Sequence, residues 1–214
     1  LSSSSAASDV YKRQGGGNDL VSIKTWLDPA AAGLAHGSAD LGRIALLHSS
    51  VLLGAGNDQL DVEGAVLDSR LDLGSGDNQV SIDGAVQQSS VLLGPDSRNQ
   101  ITLVGGTNNS LNLALAPGER AAVTLLAGAG DDRIGAPLDG LAGTIDGGGG
   151  VNTLEATADR QGATAAEPKG APVDPLRVSL QAPGAGTVGA LGFSRIDTLR
   201  VASKDLTVSV AAQA

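Results

Sequence analysis

The sequence predicts an all-β fold, a parallel β-solenoid of the β-roll or β-helix type with about 20 residues per coil. Three consecutive windows align, 49–68, 69–88 and 89–109, the third with one extra residue. Apolar residues alternate with polar ones inside each window, a pattern typical of strands with one buried face. Gly-rich turns separate these strands. Each window therefore predicts two short strands and two tight turns that stack on the preceding window.

The alignment also predicts which side chains share a column along the solenoid axis. Two inward, apolar columns are expected: Leu60, Val80 and Ile101, and Leu53, Leu73 and Leu93. Two polar columns are expected to hydrogen-bond along the stack: Ser49, Ser69 and Ser89, and Gln59, Gln79 and Gln100. Glycines mark the second turn of each window, where we expect positive φ: Gly64, Gly84 and Gly105.

The composition agrees with such a fold and disfavours several function classes. Of 214 residues, 41% are apolar but only 1% are aromatic, so Val, Leu, Ile and Ala must fill the core, unlike that of an ordinary globular enzyme. Cysteine is absent, which excludes disulfide scaffolds, thiolate metal sites and cysteine catalysis. The net charge of −9 disfavours nucleic acid as a partner and favours cations. No stretch approaches the roughly 18 apolar residues of a membrane span.

The chain divides into four segments. Residues 4–14 read SSAASDVYKRQ and resemble the in-frame translation of a transposase-type sequencing adapter, so residues 1–14 are expected to be a non-native tail without packed contacts. Residues 15–156 carry the solenoid repeats. Residues 157–175 lose the alternation and are expected to be a flexible excursion. Residues 176–214 are strand-like again and are expected to continue or cap the solenoid.

The Gly-rich turns carry a recurring motif. The pattern GxGxD, followed by any residue and an aliphatic one, occurs in Gly54–Leu60 and Gly128–Ile134. It resembles the calcium-binding repeats of secreted bacterial RTX proteins of the haemolysin type. Segments 149–157, 178–180 and 192–201 are similar to those that interrupt such repeats in very large bacterial surface proteins. The resemblance implies calcium in the turns, a secreted or cell-surface location, and a non-catalytic stalk or adhesin role with cell-surface or matrix partners.

The resemblance also implies the ligands. Calcium takes 6 to 8 oxygens, which turn carbonyls and Asp carboxylates would supply. The best predicted pair is Asp58 with Asp77 on adjacent coils, followed by Asp131 with Asp132. The predicted metal set is Asp19, Gly54, Gly56, Asn57, Asp58, Gly74, Gly76, Asp77, Asn78, Asp131 and Asp132. The aspartate position of the motif is assigned to Asp19, Asp58, Asn78, Asn99, Asp132 and Asn152. No catalytic residue is predicted.

Two other interpretations remain open. The turns depart from the family pattern: there is one motif per coil, Leu replaces its first Gly, and Asn replaces Asp in half of the copies. Stacked aspartates repel one another, whereas asparagines form amide ladders, so a calcium-free passenger segment of an autotransporter is one alternative. The other is a polysaccharide lyase or hydrolase that uses Asp131 and Asp132 as paired carboxylates. Such an enzyme predicts an outward cluster of Asp with Arg or Lys on one sheet.

Overall fold

The fold was analysed in a computed structural model, which describes residues 11–13, 15–24, 43–158, 176–203 and 206–210. These residues form strands and turns without a helix, so the predicted all-β class is confirmed. Across the same ranges, no helix has the length and apolar character needed to span a membrane. The strands form three sheets, named A, B and C below.

Sheets A and B run the length of the stack. In spatial order sheet A contains β1 (Tyr11–Arg13), β4 (Ser50–Leu52), β7 (Arg70–Asp72), β10 (Ser89–Leu93), β12 (Ser110–Leu115), β14 (Arg133–Pro137), β16 (Thr153–Thr157) and β20 (Thr198–Ala202). Sheet B contains β2 (Leu20–Ile23), β5 (Gln59–Glu63), β8 (Asp77–Asp83), β11 (Ser97–Leu103), β13 (Ala121–Leu126), β15 (Leu141–Asp146), β19 (Leu191–Ser194), β18 (Ala185–Val188), β17 (Leu176–Ala182) and β21 (Leu206–Val210). From β1 to β20 in sheet A and from β2 to β19 in sheet B, neighbouring strands pair in parallel and belong to successive coils, which is the topology of a solenoid.

The pairing register confirms the parallel solenoid and its repeat of about 20 residues. Leu60 pairs with Val80, and Val80 pairs with Ile101, in parallel register. All three side chains are buried, as are Leu53, Leu73 and Leu93. The two predicted inward columns are therefore confirmed. Because each strand pairs with the coil before and after it, the backbone polar groups are satisfied along the axis while aliphatic side chains fill the interior.

A third sheet was missed by the sequence analysis. Sheet C consists of β3 (Ile44–Leu47), β6 (Ala65–Leu67) and β9 (Val86–Gln87), and it lies between the end of each sheet B strand and the start of the next sheet A strand. The sequence predicts only a turn around Gly64, because the three residues of β6 are too few to show alternation. Sheet C ends at β9, and from residue 104 the chain passes from sheet B to sheet A through turns alone.

The loss of sheet C changes where the GxGxD turns lie. The turn at 54–58 leads from sheet A to sheet B, whereas the turns at 128–132 and 148–152 lead from sheet B to sheet A. The single aspartate position assigned from sequence is therefore wrong, because its members occupy opposite corners of the coil. A local motif specifies the shape of a turn, and both corners accept that shape.

The glycines of the second turn differ from one another. Gly64 has φ 125°, as expected, but Gly84 and Gly105 lie outside the positive-φ region. Gly84 is required for a different reason, since a Cβ there would lie 2.3 Å from the carbonyl carbon of Gly64 on the previous coil. Positive φ recurs instead just before sheet A, at His48, Asp68 and Gln88.

Both ends of the stack extend the sheets. Backbone pairing joins β1 to β4, so the expectation that residues 1–14 stay apart from the stack fails at Tyr11–Arg13. An open sheet edge pairs through backbone groups and accepts strands of many sequences. Residues 1–10 and 14 lie outside the described residues. Of the predicted excursion 157–175, Thr157 belongs to β16, and residues 159–175 lie outside the described residues. Beyond it, β19 pairs with β15 and β20 with β16 in parallel, while β17 and β18 form antiparallel pairs.

Candidate functional site: two polar corners

The first corner, between sheets A and B, holds a polar column made of Asp19, Asp58, Asn78 and Asn99, of which Asp19 is half-buried and the other three are buried. The backbone N–H of Asp19 donates to Asp58 Oδ1 at 2.8 Å. The N–H of Asp58 in turn donates to Asn78 Oδ1 at 3.0 Å. Asn78 Nδ2 donates to Asn99 Oδ1 at 3.0 Å. The side chains of Asp58, Asn78 and Asn99 thus each accept a hydrogen bond from the preceding coil.

A second column, made of the preceding residues, runs along the outside of the same corner. The N–H of Asn57 donates to Asn18 Oδ1 at 2.9 Å, and the N–H of Asp77 donates to Asn57 Oδ1 at 2.9 Å. Asp77 is exposed, and its carboxylate lies 4.0 Å from the guanidinium of Arg98 on the next coil. The predicted pair Asp58 and Asp77 is therefore divided between an inner, buried column and an outer, solvated one.

The glycines of the first corner are explained by the stacking of the turns. Gly54, Gly56, Gly74 and Gly76 all have positive φ. A Cβ on Gly76 would lie 2.0 Å from the carbonyl oxygen of Gly56, so only glycine fits between adjacent turns. These four predicted metal-site glycines have a sufficient structural role without a cation.

The second corner, between sheets B and A, repeats the arrangement with other residues. Its inner column consists of Asn109, Asp132, Asn152 and Asp197. Each backbone N–H donates to the side-chain oxygen of the next member, at 2.8 Å from Asn109 to Asp132 and 3.0 Å from Asp132 to Asn152. In the outer column, the N–H of Asp131 donates to Asn108 Oδ1 and Asp131 Oδ1 accepts from the N–H of Val151. Asp131 and Asp132 are adjacent in sequence, but one is exposed and the other buried.

Asn109 also terminates sheet C. Its Oδ1 accepts from the N–H of Val86 in β9 at 2.9 Å, and its Nδ2 donates to the carbonyl of Ala127 at 2.9 Å. The Asn109 side chain thus accepts a hydrogen bond from the N–H of Val86, which would otherwise be free to pair with a further strand of sheet C. Sequence analysis did not single out Asn109 or Asp197. The sequence does contain a signal for Asn109: the Asn-Asn pair at 108–109 follows a Gly-rich turn, as the polar pairs at 57–58 and 131–132 do.

Two buried carboxylate oxygens lack a hydrogen-bond partner: Asp58 Oδ2 and Asp132 Oδ2. In the asparagines of the same columns, the corresponding atom is Nδ2, which donates to a carbonyl in Asn78, Asn109 and Asn152 and to Ser97 Oγ in Asn99. Burial raises the pKa of Asp132 from its ordinary 3.8 to about 6, against the lowering effect of two hydrogen bonds from Asn109; Asp131 also raises it. Both aspartates therefore occupy positions that favour a hydrogen-bond donor or a cation.

The donor set was tested against calcium. No group of three or more Asp, Glu or His side chains that could hold a metal is found in the described parts of the chain. One carboxylate oxygen of Asp58 and one of Asp132 are already bonded to a backbone N–H. A calcium ion at either corner would have to take most of its 6 to 8 oxygens from backbone carbonyls. Asp19 and Asp58 are the one pair of carboxylates that is adjacent within a described inner column.

Comparison of the chain with protein-family models, curated proteins and solved structures gives no match.

Proposed function

We propose that the chain is a non-catalytic structural segment of a secreted or cell-surface bacterial protein, of the stalk or adhesin type. The observation that carries this proposal is the continuous parallel stack from residue 43 to 158, in which both corners use their polar side chains to bond one coil to the next. Hydrogen bonds of this kind hold one coil to the next, which is what a load-bearing stack requires.

The experiment is to stretch single molecules from their ends. A solenoid that bears load should release its coils in steps of roughly 65 Å, since 20 residues extend at most 3.3–3.6 Å each. Extension without measurable resistance would contradict the structural role. The partners on a cell surface or matrix would then be sought with the intact chain.

The enzyme alternative depends on outward charges. Sheet B carries a shallow groove of about 300 Å³, lined among others by Gln79, Gln100 and Thr124, with the Asp77 and Arg98 ion pair beside them. One exposed ion pair without a neighbouring histidine or second carboxylate offers no acid and base pair for glycoside cleavage. Incubation with acidic and neutral polysaccharides should give no cleavage. Cleavage that disappears in Arg98→Ala would overturn the non-catalytic assignment.

Calcium is retained as a second candidate at the first corner only, because Asp19 and Asp58 are adjacent and Asp58 Oδ2 has no partner. When bound, the ion would supply positive charge between the two carboxylates. An ion that binds only the folded chain stabilises it by RT ln(1 + [L]/Kd). The melting temperature in several millimolar calcium should therefore be higher than the melting temperature in chelator. Asp58→Asn should remove the difference, whereas Asp77→Asn should keep it. An identical melting temperature of the unmodified chain under both conditions would eliminate calcium and leave the structural role intact.

A further inference from the structure

The shallow groove on the outer face of sheet B crosses β8, β11 and β13 and has a volume of about 300 Å³. Two rows of outward side chains follow the pairing register along it. The first row consists of Asp77, Arg98 and Ala122, and the second of Gln79, Gln100 and Thr124. From Arg98 to Ala122 the first row loses a long side chain, so the surface becomes concave beside the second row. The register of three coils therefore creates the groove.

The amides of the second row are available to a ligand. Among the described residues, the side-chain amides of Gln79 and Gln100 have no hydrogen-bond partner, so the bonded glutamine column expected from the sequence is not formed there. The amide of Gln59, one coil earlier, already donates to Asp61 Oδ2 at 2.9 Å. Each primary amide can both donate and accept. Adjacent strands hold the Cα atoms of Gln79 and Gln100 about 4.8 Å apart.

The groove carries one charge of each sign. The guanidinium of Arg98 lies 4.0 Å from the carboxylate of Asp77, and both side chains are more than half exposed. Water screens such a pair, so the guanidinium keeps donors and the carboxylate keeps acceptors for a third group. The lining as a whole is neutral, and the chain has a net charge of −9. These charges disfavour a polyanion in the groove.

We propose that this groove binds one or two sugar rings of a neutral polysaccharide. Sugar hydroxyls donate and accept, as do the amides of Gln79 and Gln100 and the hydroxyl of Thr124. Two neighbouring hydroxyls can bridge the carboxylate and the guanidinium of the first row. The volume lies at the lower end of the range for small-ligand pockets. The inference rests on the proposed surface role and gives it a class of partner, a neutral glycan of a cell surface or matrix.

We expect a single groove to bind weakly. No aromatic side chain lines it in the described part of the chain, so the large apolar contact that an aromatic ring provides is missing. Hydrogen bonds that replace bonds to water contribute little net free energy each. The expected dissociation constant is therefore about one millimolar. Many copies of the chain on one surface would bind a polysaccharide more tightly through multivalency.

The test titrates the isotope-labelled chain with three neutral probes, cellotetraose, chitotetraose and maltotetraose, and with acidic tetragalacturonate. At least one neutral probe should shift the side-chain amide resonances of Gln79 and Gln100 and leave that of Gln59 in place. Gln79→Ala and Gln100→Ala should each weaken binding by about tenfold. Gln59→Ala is the matched control, because Gln59 lies in the same row but outside the groove, and it should bind like the unmodified chain.

The outcomes distinguish this inference from the proposed function. A chain that resists stretching but shows no shift with any probe, at concentrations far above one millimolar, would keep the structural role and overturn the glycan site. Shifts confined to tetragalacturonate would overturn the assignment to a neutral glycan. Equal losses of affinity in Gln59→Ala and Gln79→Ala would place the binding outside the groove and overturn the proposal. The titration of the unmodified chain decides the matter even if a variant fails to fold.

Discussion

Residues 43–93 wind around three sheets, whereas residues 94–157 wind around two. With sheet C present, partners in sheet A are 20 residues apart, as for Val51 and Leu71. Without it the interval varies: it is 22 between Val91 and Leu113, 24 between Ile101 and Leu125, and again 20 between Leu125 and Ile145. A third sheet requires every coil to deliver a third strand in register. Its absence lets the turns vary in length.

The two regions also close their coils differently. Before sheet A, the three-sheet region uses a hydroxyl column in which the N–H of Ser49 donates to Ser69 Oγ and that of Ser69 to Ser89 Oγ. This confirms the hydrogen-bonded serine column expected from the sequence. The two-sheet region uses the longer side chains of Asn109, Asp132 and Asn152 instead. The longer side chains span the gap that the missing strand leaves.

The largest expected effect tests whether the two regions unfold as one. Val80→Asp places an unpaired carboxylate between Leu60 and Ile101 and should cost about 3–5 kcal/mol. One apolar cluster runs through both regions, so we expect the circular dichroism signal of the whole chain to be lost together in urea. Ser81→Asp, the next residue and outward-facing, should cost a few tenths of a kcal/mol beside Asp61. Retention of half of the signal in Val80→Asp would show two independent units.

A smaller effect is expected at the junction of the regions. Asn109→Ala leaves the N–H of Val86 and the carbonyl of Ala127 buried without their partner, which should cost about 2–4 kcal/mol in urea unfolding. Asn112→Ala, three residues on and exposed, should change the free energy of unfolding little. If the two substitutions had equal effects, Asn109 would not be the residue that terminates sheet C.

The smallest effect concerns the hydroxyl column. Ser69 Oγ donates to the carbonyl of Leu67 at 2.7 Å and accepts from Ser49, and Ser69→Ala should cost about 1 kcal/mol. Ser90→Ala, on the outer face of sheet A, is the matched control and should be close to neutral. If Ser69→Ala lowered the free energy of unfolding as much as Asn109→Ala, the serine column and the asparagine-containing column would not differ in strength.

The sequence predicted the solenoid and its inward columns because a 20-residue period and strand alternation both repeat in 49–109. It did not predict sheet C, whose strands are two to four residues long, or the opposite placement of the GxGxD turns. The candidate residues Asp58 and Asp132 were found from their motif. The sequence could not show which of their oxygens lacks a partner. That depends on residues one coil away, and these residues are identified only when the pairing register is known.

The turn at 94–97 shows how this chain accommodates a change in length. Between Val80 and Ile101 the interval is 21, one more than between Leu71 and Val91. The extra residue is absorbed where Asp96 adopts φ 51° and Ser97 Oγ donates to the Gly94 carbonyl. An insertion within a strand would instead turn every following side chain to the other face. In evolutionary terms, insertions and deletions among descendants of this sequence should accumulate at the corners, and the strands should change only by substitution or by gain and loss of whole coils.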